Sequence, residues 1–296
     1  MSKRDKITLA IFVFVTITAG GLGYLLDQIL TEQPEGNSLG MGLWLVLPFL
    51  TGIVLRSINK ELKQLGIRPR FKNNLRWYAV AALIFPCSML VSILLAWLTG
   101  GLIIGQTEAG SLIVLMLTTF LTNCIKNIFE EFSWRGCLVP FLEKTGMNDW
   151  VLYFTSGLIW GLWHITYYMF FLPDEYFTQT SRPQMVVMGI ILMILWSPAF
   201  VELRRLTDSV WPCIILHSME DAVPTMLFVV AGVLQIKESH GIWLDPISGI
   251  IPTAVVILIG LWLREQRKKS ISCTNSRKEM NYENISRWRF NWLCRN

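Results

Sequence analysis

Glu130, Glu131 and Arg135 fall within six residues, Glu130-Glu131-Phe132-Ser133-Trp134-Arg135. Two adjacent carboxylates beside a guanidinium are the raw material of acid–base chemistry. The cation can hold one carboxylate ionised while the other takes a proton from water. Such a base needs a partner that positions the water, and His164 is the candidate. His217 and Asp221 are four residues apart and share one helical face, with Glu220 a rival partner three residues from His217. Amide hydrolysis passes through an oxyanion that needs fixed donors in a water-poor site, and a histidine with a neighbouring Asx can supply them.

The surroundings make these residues unusual. The stretch from Ser111 to Phe141 is otherwise apolar enough to cross a bilayer. Each charge near the midplane costs about 2.5–3.5 kcal/mol on insertion scales. Charges are kept there when they pair, face the protein interior and serve a function. At 100° per residue, Asn123, Lys126, Asn127, Glu130 and Glu131 fall on one side of a helix, with Arg135 slightly further round. Lys126 with Glu130 and Glu131 with Arg135 are each i,i+4 pairs. The competing reading is two neutralised pairs that only hold helices together. His164 closes the run Ser156-Gly157-Leu158-Ile159-Trp160-Gly161-Leu162-Trp163-His164. Gly157 and Gly161 form a small-xxx-small step that lets a neighbouring helix approach closely, and His164 shares that face. Glu130, Glu131, His164, His217 and Asp221 also offer zinc-type ligands, but without an H-E-x-x-H motif.

These residues must be held by membrane helices. The chain is 53% hydrophobic and 16% charged, with a mean hydropathy of +0.46, whereas an ordinary soluble domain carries about 25% charged residues. The expected fold is an all-α polytopic membrane bundle of eight segments, at about 7–29, 40–57, 77–103, 111–141, 149–172, 185–203, 209–235 and 246–263. Residues 1–263 form the membrane domain and 264–296 a basic tail. Prolines 212 and 224 interrupt the seventh segment. The basic start from Met1 to Lys6 resembles a signal-peptide n-region, but the apolar run that follows is long and reads as a retained first helix.

Twenty-two of the 26 basic residues lie in the two termini and in alternate connections, which puts both termini on the cytoplasmic side. The net charge of +5 therefore reads as a topology signal, and nothing in the motifs suggests nucleic acid. Arg and aromatic residues alternate from Ser286 to Trp292, a pattern suited to lipid headgroups or to a disordered tail. The six cysteines have no C-x-x-C spacing and read as small buried hydrophobes. His240 reads as a solvated loop residue.

Three motifs in this order, each in a separate apolar segment, resemble the CAAX-protease and bacteriocin-processing (CPBP, or Abi) family. Its pattern is E-E-x-x-x-R, then F-x-x-x-H, then H-x-x-x-N or -D. Glu130, Glu131 and Arg135 match the first in full; Trp160 stands for the usual Phe before His164; His217 matches, and Asp221 stands where Asn is most familiar. The resemblance spans about residues 111–230. It implies an eight-helix intramembrane endopeptidase whose cavity opens toward the cytoplasm, placed in the cell membrane, acting on a peptide or a lipid-modified, CAAX-type protein. It implies that Glu130, helped by His164, activates water, that Glu131 and Arg135 hold that geometry, and that His217 and Asp221 line the oxyanion position. Members are often labelled metalloproteases, with Glu130, His164 and His217 as the ligands if zinc is present; a metal-free glutamate mechanism is the preferred expectation. Two other classes compete: a non-proteolytic scaffold or bacteriocin-immunity protein of the same family, and a transporter using the buried charges as a proton relay. Intact Glu130 and His164 weigh against the scaffold, and the lack of inverted-repeat symmetry against the transporter.

Overall fold

The computed structural model describes residues 1–34, 36–105, 109–177, 180–224, 227 and 232–283. Helices dominate: α1 (Lys3–Ile29), α2 (Leu39–Ile58), α3 (Phe71–Leu98), α4 (Ala109–Glu131), α5 (Val139–Glu143), α6 (Asp149–Trp163), α7 (Arg182–Thr207), α8 (Trp211–Pro224), α9 (Glu238–Leu244) and α10 (Ile250–Glu283). Among the described residues, five helices are long and apolar enough to cross a membrane: α1, α2, α3, α7 and the continuous stretch Gly110–Glu143. α6 and the described part of α8 are shorter, and the apolar part of α10 meets Arg264, Glu265 and Arg267 within 18 residues. The all-α expectation holds for the bundle. It misses one element, an antiparallel ribbon in which β1 (Leu102–Ile104) pairs with β2 (Leu234–Ile236). The third and seventh apolar segments thus end as strands, not as helix.

Local chemistry sets the helix starts. Ser38, Asn148 and Ser181 each accept a hydrogen bond from a backbone N–H of the following turn, and Ser181 completes a capping box with Gln184. Asp27 interrupts the apolar pattern of α1 for a structural reason. Its carboxylate accepts from the Gly40 N–H at 2.8 Å and from the Ser38 hydroxyl, which ties the end of α1 to the start of α2.

The packing is α1 on α2, α6 on α7, α7 on α10, and α8 against both α3 and α4. On α4 the apolar stripe Ile113, Leu117, Leu121 and Ile125 is exposed while Asn127, Glu130 and Glu131 are buried. This is the inside-out arrangement of a membrane helix: lipid-facing hydrocarbon outside, polar groups within. The glycine step of α6 meets α7 as its spacing requires. A Cβ on Gly157 would lie 2.5 Å from Ile194 Cα and 2.6 Å from the Met193 carbonyl oxygen, and one on Gly161 2.7 Å from Ile190 Cα. Backbone atoms cannot swing aside, so Gly157→Ala must push α6 and α7 apart. Overpacking of this kind costs about 1–3 kcal/mol, and a lowered unfolding temperature in detergent is the expected result.

At one end of the bundle an ion network joins α6, α7 and α10. Asp149 accepts from Arg205 (2.8 Å), Arg264 (2.7 Å) and Arg267 (2.8 Å). Glu202 accepts from the Tyr153 hydroxyl and from Arg267, both at 2.5 Å. The boundary expected at residue 263 falls inside α10, and Arg264 and Arg267 pair with the bundle. The stretch Ser286 to Trp292 lies outside the described residues. A second cluster joins Lys144 to Asp5 and Glu61. Burial pulls the Lys144 ammonium down, and the two carboxylates more than offset it, so its pKa sits above the ordinary lysine value. His240 is not a freely solvated loop residue; it sits in α9 with its ring against Gly101.

Candidate active site

α4 and α8 run antiparallel side by side: Asn127 meets Asp221, and four residues on, Glu131 meets His217. α6 closes the third side with Trp160 and His164. The six residues singled out from sequence therefore come from three elements around one interior point. Glu130, Glu131, Arg135, His164 and His217 are all buried.

Glu131 is the anchor. Its Oε1 accepts from Arg135 Nη1 at 2.7 Å and from His217 Nδ1 at 2.8 Å. The guanidinium of Arg135 lies between the rings of Trp160 (4.2 Å) and Phe200 (4.1 Å), where cation–π attraction and the ion pair act together. Because Glu131 takes the Nδ1 proton of His217, His217 Nε2 is free to face Glu130 Oε2, 4.0 Å away. A water oxygen about 2.8 Å from both atoms would sit at an angle of about 90°, an acceptable bridging geometry.

Glu130 accepts a long hydrogen bond from the Trp160 indole N–H at 3.4 Å. The same residue holds His164, whose Nδ1 lies 3.0 Å from the Trp160 carbonyl oxygen. A carbonyl can only accept, so the His164 proton is on Nδ1 and Nε2 presents its lone pair. Trp44, Trp163, Tyr167 and Tyr168 wall in the imidazole. Asp221 accepts from Asn127 Nδ2 at 2.8 Å and pairs with Lys126 Nζ at 3.1 Å, and Lys126 is also 3.6 Å from Glu130 Oε1. Both i,i+4 pairs expected on α4 are thus formed. Asp221 pairs across to α4.

Several contributors were not foreseen. Phe132–Leu138 forms a π-helical turn between α4 and α5, the kind of insertion often found at functional sites. Its freed carbonyls need donors. Arg204 Nε donates to the Arg135 carbonyl at 3.1 Å, and Arg56 Nη2 lies 3.5 Å from that of Cys137. Counted from sequence as topology signals, Arg56 and Arg204 are buried donors. Their signal was weak: each sits at the apolar end of its helix, as any juxtamembrane arginine does.

Residues 109–223 match the family model described as type II CAAX prenyl endopeptidase Rce1-like. The match encloses every motif residue from Glu130 to Asp221 and agrees with the resemblance read from those motifs. It covers the three elements that build the site and leaves out α1–α3, α9 and α10. No curated protein matches the chain. The matched family is one of proteases. Together with the apolar helices, the match points to an integral membrane protein and supports protease activity in general.

A zinc ion is the cofactor that the resemblance raises. Among the described residues, His217, Glu220 and Asp221 are the group of such side chains whose ligand atoms all lie within 4.8 Å of one another. Lys126 does not suit a dication there. Its ammonium, 3.1 Å from Asp221 Oδ2 and 3.6 Å from Glu130 Oε1, already occupies the cation position beside those carboxylates and would repel a metal. The donor set therefore does not fit a resident zinc. A strong chelator is expected to leave the rate of cleavage unchanged; loss of activity restored by zinc would show otherwise.

Proposed function

We propose that this chain is an intramembrane endopeptidase that hydrolyses a peptide bond of a membrane-associated or prenylated, CAAX-type substrate with water activated by Glu130 and His164. The observation that carries the reading is the convergence of Glu130, His164 and His217 from α4, α6 and α8 around one buried point. Bundle residues 1–263 would make eight crossings, as the eight apolar segments and the alternating Lys/Arg distribution favour, with both termini and the tail from 264 in the cytoplasm. The cell membrane is the expected location.

The steps follow from the donors and acceptors. Glu130 takes a proton from water, and the water oxygen attacks the scissile carbonyl carbon. His164 Nε2 orients the water. The carbonyl oxygen becomes an oxyanion beside the Lys126–Asp221 pair and His217, which donates from Nε2 as an imidazolium while Glu131 holds its Nδ1–H. The C–N bond then breaks, and the amine leaves with the proton returned by Glu130. One water is consumed, and one carboxyl and one amine are released. Glu131 and Arg135 act at one remove, by holding the His217 Nδ1–H and so fixing the direction of the ring.

The test compares peptide termini, by mass spectrometry of membrane and secreted fractions, in cells carrying the wild-type chain or Glu130→Gln. Termini present only with the wild type support the protease reading and name the substrate class. Matching peptide maps alongside a deletion phenotype would favour a scaffold.

A further inference from the structure

The oxyanion step has a chemical gap at Asp221. An ionised carboxylate accepts hydrogen bonds and cannot donate one, yet Asp221 stands where the resemblance expects a donating Asn. Asn127 does not fill the gap, because its amide nitrogen is committed to Asp221 at 2.8 Å and Ser218 at 3.2 Å. Lys126 can. It precedes Glu130 by one turn of α4 and lies on the same face. Its Nζ is 3.1 Å from Asp221 Oδ2 and 3.6 Å from Glu130 Oε1. Its side chain is 32% exposed, against 1% for Glu130, so Lys126 is partly accessible while the base beside it is enclosed. An ammonium has three N–H donors; among the described residues Asp221 and, at longer range, Glu130 draw on two at most, which leaves one for a ligand.

We propose that Lys126 is the cation that stabilises the oxyanion in this chain, and that Asp221 is the positioning residue that holds it there. The inference rests on the endopeptidase reading above. Its physical appeal lies in the timing of charge. When Glu130 accepts the proton from water its negative charge disappears, and a negative charge forms on the carbonyl oxygen in the same step. The proposal puts the oxyanion beside Asp221, and Lys126 reaches both Asp221 and Glu130, so the ammonium exchanges one anionic partner for another with little reorganisation. Stabilisation that appears only with the developing charge raises kcat more than it lowers KM.

The experiment uses the full chain in detergent micelles and a quenched fluorescent peptide ending in a farnesylated CAAX sequence. Lys126→Met is expected to lower kcat on the order of 10²–10³-fold with KM little changed, as loss of one oxyanion donor does elsewhere. Lys126→Arg is expected to keep more of the rate than Lys126→Met. Asp221→Asn, which restores an uncharged donor beside Lys126, is expected to lower kcat by less than about tenfold. Two double variants separate donation from charge balance. Lys126→Met with Asp221→Asn should recover rate over Lys126→Met alone, because the Asn amide can donate. Lys126→Met with Asp221→Ala should not, although it carries the same charge. Equal recovery in both would mean that Lys126 only neutralises Asp221, and would overturn the proposal; so would near-wild-type kcat in Lys126→Met. Thermal unfolding of each variant identifies loss through misfolding, and the uncharged double variants keep the comparison available if Lys126→Met is unstable. A wild-type chain that cleaves the peptide, with Glu130→Gln inactive and the Lys126 variants unimpaired, removes this inference alone. A wild-type chain that leaves the peptide intact removes the prenyl-endopeptidase reading, and this inference with it.

Discussion

Glu130→Gln is expected to lower the rate of peptide cleavage on the order of 10²–10⁴-fold, the range spanned by a positioned general base. The substitution keeps shape and removes basicity. An amide oxygen can still accept from the Trp160 indole N–H, which is 3.4 Å from Glu130 Oε2 in the wild-type chain. Lys126 keeps Asp221 as a partner at 3.1 Å. The surrounding helices therefore have no reason to rearrange, and the unfolding temperature should move little. What is lost is the basic carboxylate proposed to take the proton from water; Glu131 is held away from that task by the Arg135 and His217 hydrogen bonds to its Oε1. Measured kcat with a fixed peptide, together with unfolding of the same preparation, decides it. A variant that still cleaves within about twofold of wild type would transfer the base role elsewhere.

Arg135→Leu is expected to give the largest loss of stability, about 3–5 kcal/mol, the usual result of removing one partner from a buried ion pair. Glu131 would stay buried; among the described residues His217 would be its remaining polar partner, and its Oε2 has none even in the wild-type chain. The space between Trp160 and Phe200, which the guanidinium now fills at 4.2 and 4.1 Å, would also be filled less well. Replacing both members, Arg135→Leu with Glu131→Leu, should recover much of that stability, because a neutral apolar pair leaves no stranded charge. The same double variant should remain inactive, since His217 would lose the acceptor that fixes its Nδ1 proton. Reversible unfolding in mixed micelles measures the first effect, and peptide cleavage the second. Recovery of both stability and activity would mean that Glu131 and Arg135 are structural glue alone.

The chemistry was legible in the sequence because charge inside apolar segments is costly enough to need a reason. That is why Glu130, Glu131 and Arg135, His164, and His217 with Asp221 could be picked out from three separate segments, and why their family resemblance agrees with the match over residues 109–223. Helix spacing also carried the polar face of α4 and the close α6–α7 contact at Gly157 and Gly161. Other features leave no one-dimensional trace. A π turn differs from an α turn by one residue of hydrogen-bond register, and here it depends on Arg204 and Arg56, donors from helices remote in sequence. Those arginines look like topology markers until the fold buries them. Strands of three residues are too short to develop an alternating pattern, so β1 and β2 were absorbed into the ends of apolar segments. The pairing of Lys126 with Asp221 is a contact between two helices, and spacing along one helix pointed Lys126 only to Glu130.

The β1–β2 ribbon has a mechanical consequence. β1 precedes α4 and β2 lies beyond α8 in the chain, so the ribbon is a clasp between two stretches that flank the site. Glu130 lies 21 residues along α4 from that clasp, about 30 Å at the rise of a helix. Whatever motion the ribbon restrains, it restrains at a level remote from the buried carboxylates, so substitutions that weaken the β1–β2 pairing are expected to lower stability before they alter the geometry around Glu130.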